Sequence, residues 1–169
     1  MGLATILLQH FQVPPNWGAD WAWGLPLIVL TVIIHVLGLG IIHNKLISRG
    51  LHPRSSTPLV FVAVMSATTL LVACLHGLET VVWAAAYRVN DAALDNKSAV
   101  LYSMNAMTTY GHASVSLAPQ WQLMGALEAL NGWLLFGLTT AFLFAVLQQW
   151  WFGAPERWRN SDVEGPPPP

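Results

Sequence analysis

Along the chain, charged residues come in clusters separated by long stretches that carry none. Trp21–Asn44 has no Asp, Glu, Lys or Arg, Leu59–Leu78 is a second such run and Ala129–Pro155 a third. At about 1.5 Å of rise per residue, each run is long enough to cross a hydrocarbon core of about 30 Å. The pattern predicts helices over residues 24–46, 58–87 and 121–152. Pro14 and Pro15 stop any earlier helix. Residues 1–23, with their short apolar patch Leu3–Leu8, are therefore expected to lie along the membrane surface.

The interval between the second and third runs is not an ordinary polar loop. After "RVNDAALDNKS" comes "AVLYSMNAM", a short apolar stretch for which Asp95 or Asn96 is a suitable N-cap. It is too short to span, and it leads into "TTYGHASVS". That arrangement suits a re-entrant helix followed by a returning strand. Irregular backbone at membrane depth is tolerated only when it is buried in protein or lines a water-filled path.

Composition sharpens the class. Charged residues make up 9% of the 169 and hydrophobic residues 54%, whereas a soluble domain carries roughly 25% charged residues. The fold class expected is therefore an all-α membrane protein. A formal charge of −1 gives no electrostatic footprint for a nucleic-acid partner, and Cys74 alone cannot form an intrachain disulfide. Lys45, Arg49, Arg54, Arg157 and Arg159 fall on one side of the spans, against Arg88 and Lys97 on the other. The excess of basic residues places the first side in the cytoplasm, with the N-terminus outside and residues 88–120 facing outward. The tail "EGPPPP" contains no core-forming residue.

The segment "AVLYSMNAMTTYGHAS" resembles the pore helix and selectivity filter of the potassium-channel family, whose bacterial members carry "TTVGYGD". "NGWLLFGLTTA" resembles their inner helix, and the spacing between the two stretches agrees as well. The resemblance covers residues 58–152 and implies a homotetramer in a bacterial inner membrane. Three transmembrane helices would be joined by a re-entrant pore helix and filter loop, passing monovalent cations such as potassium or sodium, with no cofactor. The chain then divides into a surface segment (1–23), an additional spanning helix with its cytoplasmic loop (24–57), the pore domain (58–152) and a disordered cytoplasmic tail (153–169).

Carried over by position, the filter is Thr108, Thr109, Tyr110, Gly111, His112, Ala113 and Ser114, with Thr108 at the innermost ion site. Tyr110 replaces a Val, His112 a Tyr, Ala113 the second glycine and Ser114 an Asp. The family's filter alternates backbone conformation so that its carbonyls face the axis. A Cβ at Ala113 opposes this by about 1–2 kcal/mol, in four copies. A remodelled upper filter with weakened preference for potassium is the expectation. His112 has three readings: a hydrogen bond back to Tyr102, a titrating ring around the axis, or a metal ligand. Tyr102, Asn105 and Glu128 are the candidate supports behind the filter.

Other polar groups lie inside the spans. Counted inward from the outer face, His35, His76, Glu79 and Glu128 fall within roughly 5 Å of one depth, and His76 and Glu79 share a helical face. His35, His76 and Glu79 would form a hydrogen-bonded brace, part of an ion path or pH sensor, or a metal or haem site. The last alternative, with His43 as a further ligand, describes a redox subunit; a non-conducting accessory subunit is another. Gly132 and Gly137 are each a candidate gating hinge or a packing contact. Phe142, Phe144, Leu147 and Trp151 are candidates for an apolar constriction at the cytoplasmic end.

Overall fold

A computed structural model describes residues 17–47, 57–111 and 115–152. It is helical, with no strand among the described residues. The first helix, α1, covers Trp17–Ile42 and widens into a π-helical turn over His43–Ile47. Helix α2 covers Pro58–Val89, α3 covers Asn96–Met107, and a 3₁₀ turn at Pro119–Trp121 leads into α4, Gln122–Phe152. Three segments, Trp17–Leu46, Pro58–Val89 and Pro119–Gln149, are long and apolar enough to cross a membrane.

Three helices in the expected places answer the three charge-free runs, with one correction. Helix α1 begins at Trp17, not at position 24, so it takes in residues 17–23. Asp20 lies in its first turn, where a carboxylate suits the N-terminal end of the helix dipole. Pro26 lies inside the helix, as membrane helices permit when neighbours re-satisfy the backbone. Residues 1–16 and 153–169, which carry the rest of the surface-segment and tail expectations, fall outside the described residues.

Helix α3 starts where its sequence signal stands. Asp95 is extended and its Oδ1 accepts the Ser98 N–H at 2.8 Å, while Oδ2 accepts the Ser98 hydroxyl at 3.1 Å. The turn before it is organised by Arg88, whose guanidinium donates to the carbonyls of Ala93 and Leu94 and to Asn96 Oδ1. The chain that leads into α4 is tied to the same turn by Ala118 N–H on the Ala92 carbonyl at 2.9 Å.

The chain forms two compact units, and each of the three long helices contributes to both. The first unit contains residues up to Val32 and Leu78–Trp133, including α3 and a set of buried polar groups. The second contains Ile33–Gly77 and the chain from Leu134 onward. There Leu39, Ile42, Val64, Val72 and Val146 form an apolar cluster, with Leu46, Met65, Leu75 and Phe142 packed on it.

The backbone and side-chain hydrogen bonds from Ser98 hold the Asp95 carboxylate below its ordinary value of 3.8. Its contribution to the start of α3 is therefore complete above that value and disappears as pH falls through the lower folded value. A pH titration of the Ser98 amide resonance should show a midpoint below 3.8, absent in Asp95→Ala.

Candidate functional site

Buried polar side chains of the first unit converge on the short helix α3. Glu128 of α4 is fully buried, and its Oε2 accepts the Tyr87 hydroxyl of α2 at 2.5 Å. Its Oε1 lies in a short hydrogen bond with the Ser103 hydroxyl of α3. Ser103 Oγ is also 2.9 Å from the Thr80 carbonyl of α2. One carboxylate thus joins three helices. Tyr102 stacks edge-on against Tyr87 with ring centroids 5.4 Å apart. Burial, with the Glu128 carboxylate nearby, pushes its phenol up to about 12, so it stays a neutral hydroxyl. Glu128 of α4 thus reaches α3 through Ser103, while Tyr102 of α3 packs against Tyr87.

The end of α3 fixes residues 108–111, the first part of the candidate filter. The Tyr110 N–H bonds the Asn105 carbonyl at 3.0 Å and the Thr109 N–H bonds the Ala106 carbonyl at 3.0 Å. This is the pair of bonds of a Schellman cap. The left-handed position, which glycine usually fills, is Thr109 at φ 55°. A β-branched residue there carries strain of about 1–3 kcal/mol. Gly111 has φ 100°, and Tyr110 between them is not in the positive-φ region, so the backbone alternates in hand over these residues. Thr108 closes the helix as its C-cap: its hydroxyl donates to the Met104 carbonyl at 2.7 Å and its carbonyl accepts the Thr109 hydroxyl at 2.7 Å. Asn105 is buried and its carbonyl anchors the cap. Tyr110 is 85% exposed, so its ring projects outward from this chain. His112, Ala113 and Ser114 lie outside the described residues.

Met107 is held on two sides. The Thr80 hydroxyl meets its sulfur at 3.6 Å. From α4, Gly132 approaches so closely that a Cβ there would lie 2.3 Å from the Met107 carbonyl oxygen and 2.9 Å from its Cα. Of the two readings of Gly132, close packing thus has a direct cause, because the obstructing atoms are backbone. A Cβ at Gly137 would meet nothing within 4 Å.

In the second unit His35 and His76 come together, ring centroids 5.0 Å apart. Thr139 Oγ1 lies 3.1 Å from Nε2 of each. A hydroxyl donates one proton, so one imidazole nitrogen accepts it and the other donates to the same oxygen. Hydrogen bonds of this kind suit the brace among the readings given for His35 and His76. Glu79 is buried on α2, one turn on from His76 along the helix. His43 begins the π-helical turn that ends α1. Of the candidate constriction, Phe142 packs on the apolar cluster, Leu147 is partly buried and Phe144 is exposed. The Trp151 side chain lies outside what is described.

Sequence reasoning missed Ser103, Tyr87 and Thr139. A Ser or Thr inside an apolar helix normally satisfies itself on the preceding turn, so it gives little sign of a partner on another helix.

Gly132→Ala should destabilise the protein by about 1–3 kcal/mol, the usual range for overpacking. Gly137→Ala should be neutral or stabilising by up to about 1 kcal/mol through helix propensity. Unfolding curves in detergent for the two variants provide the comparison. Ser103→Ala should cost about 1–3 kcal/mol in the same assay, since it leaves a buried carboxylate oxygen short of a donor.

Comparison with protein-family models, with curated proteins and with solved structures gives no match for this chain.

Proposed function

We propose that the chain is one subunit of a tetrameric ion channel resembling potassium channels, passing monovalent cations through the loop that follows α3. The observation that carries this reading is the exit of α3 into a backbone of alternating hand at Thr109, Tyr110 and Gly111. Successive residues of opposite hand turn successive carbonyls the same way, which is how a filter presents oxygens to an ion. Two further features support it. Helix α3 is tied through Ser103 to α2 and α4, as a stationary pore helix must be. Helix α4 exposes Leu130, Trp133, Leu134 and Phe136, which suits contact with lipid or with further copies. One chain cannot close a filter, so four are required by the reading. The excess of basic residues supports an orientation with each N-terminus outside and each C-terminus in the cytoplasm, and the resemblance suggests a bacterial membrane.

In this reading Thr108 forms the innermost ion site and Gly111 keeps the conformation that only glycine adopts without strain. Ala113 lacks that freedom and weakens the upper filter.

Purified protein in mild detergent should run as a tetramer and, in liposomes, carry potassium and sodium down their gradients. A monomer that supports no flux under potassium, sodium or chloride gradients overturns the proposal. If wild type conducts, Ala113→Gly should raise the potassium-to-sodium permeability ratio in reversal-potential measurements, and an unchanged ratio would remove Ala113 as the cause of weak preference. A single cysteine at Asp91, in a Cys74→Ala background, should react with an impermeant thiol reagent only from outside.

A further inference from the structure

Helix α4 begins without a cap of its own. The residue before its 3₁₀ lead-in is Ala118, which makes no side-chain capping bond, and Pro119 follows it. Around the start of α4 the sequence reads "SLAPQWQLM", with no Ser, Thr, Asp or Asn at the positions next to the helix. The first-turn N–H groups of any α-helix lack partners on the preceding turn. In α4 one of them is supplied from far away: Met124 N–H donates to Asp20 Oδ1 at 3.0 Å, across 104 positions of sequence. Asp20 is fully buried there.

Two more contacts join α1 to α4 within the same unit. A Cβ on Gly24 would lie 2.5 Å from Leu127 Cδ1, so Leu127 fills the notch left by that glycine. One helical segment further on, the Asn131 amide donates to the Thr31 hydroxyl at 2.8 Å. Asp20, Gly24 and Thr31 are at i, i+4 and i+11 on α1, and Met124, Leu127 and Asn131 are at i, i+3 and i+7 on α4. Both sets follow a helical face. The second unit contributes His35 on Thr139.

We infer that Asp20 is a positioning residue, a cap supplied from a distant part of the same chain through which α1 sets the place of α4 and of the segment that enters it. The additional helix is thereby part of the pore's framework and more than a membrane anchor. Its carboxylate supplies both an acceptor for the Met124 N–H and negative charge at a helix N-terminus. The segment just upstream, Val115–Ala118, returns from the filter and is fixed at its far end by the Ala118–Ala92 bond. Loss of the cap frees the start of α4 to fray, and the returning chain loses its second fixed end. The effect on ion passage rests on the channel reading above; the effect on α4 does not.

The experiment uses the full chain in nanodiscs, with Asp20→Asn, Asp20→Ala and Gly137→Ala as a control remote from the cap. The first measurement is hydrogen exchange of peptides covering 122–128. Asp20→Ala should exchange faster by about tenfold or more, the scale of one lost bond to a charged acceptor. Asp20→Asn keeps an acceptor oxygen and should recover most of the protection, while Gly137→Ala stays at wild type. Exchange in Asp20→Ala equal to wild type overturns the inference. So does equal failure of Asn and Ala variants to assemble, since a hydrogen-bonding cap predicts rescue by the amide. Assembly of Asp20→Asn with loss of Asp20→Ala supports it. The second measurement is cation flux from liposomes, in which Asp20→Ala should change the rate and Asp20→Asn restore it. A silent wild type sinks the channel reading and leaves the exchange result to decide the cap.

Discussion

A carboxylate buried among apolar helices must bring its hydrogen-bond donors with it, and Glu128 does. Leaving an ionised or even a neutral carboxyl group unpartnered in such surroundings costs several kcal/mol, on the order of the stability of a small domain. Tyr87 and Ser103 supply the partners from two other helices, so the side chain becomes the point at which α2, α3 and α4 agree on their spacing. Ser103 repeats the agreement by reaching the Thr80 carbonyl. Met107 is one turn further along α3, between Thr80 and Gly132, and the Schellman cap opens from it. The conformation of residues 108–111 thus descends from where a buried acid found its donors.

The two units are held by different forces. The first relies on directional bonds: Asp20 with Met124, Thr31 with Asn131, and the Glu128 group. The second, apart from its histidine pair, relies on contact among Leu39, Ile42, Val64, Val72 and Val146. Between helices in a bilayer, burying apolar surface gains little, because lipid chains are as apolar as leucine. Hydrogen bonds therefore define a unique geometry in the first unit, whereas shape alone must do so in the second.

Much of this was readable in the sequence where a single element decides the matter. Three charge-free runs located the long helices, and Asp95 marked the start of α3 because its cap bond is local, to Ser98. Counting residues from the outer face put His35 and His76 at one depth, and the two rings do meet. What stayed hidden depends on partners from elsewhere in the chain. Nothing near Gly132 tells a hinge from a contact, because the deciding atoms are the backbone of Met107. Nothing near Glu128 names Tyr87 or Ser103, which stand 41 and 25 positions away. Helix α1 starts earlier than its charge-free run because Asp20, buried against the Met124 N–H, ends the run without ending the helix.

The matching faces of α1 and α4 also limit how this chain can change its length. A residue inserted or lost between Asp20 and Thr31 would swing everything beyond it by about 100° around the helix axis. Thr31 would then leave Asn131 while Asp20 stayed on Met124, or the reverse. Only a change of a near-whole number of turns would keep both partners aligned, and it would still shift their levels. In descendants of this sequence α1 should therefore tolerate substitution on its exposed positions, such as Val29, Ile33 and Leu37, far better than any change in residue count.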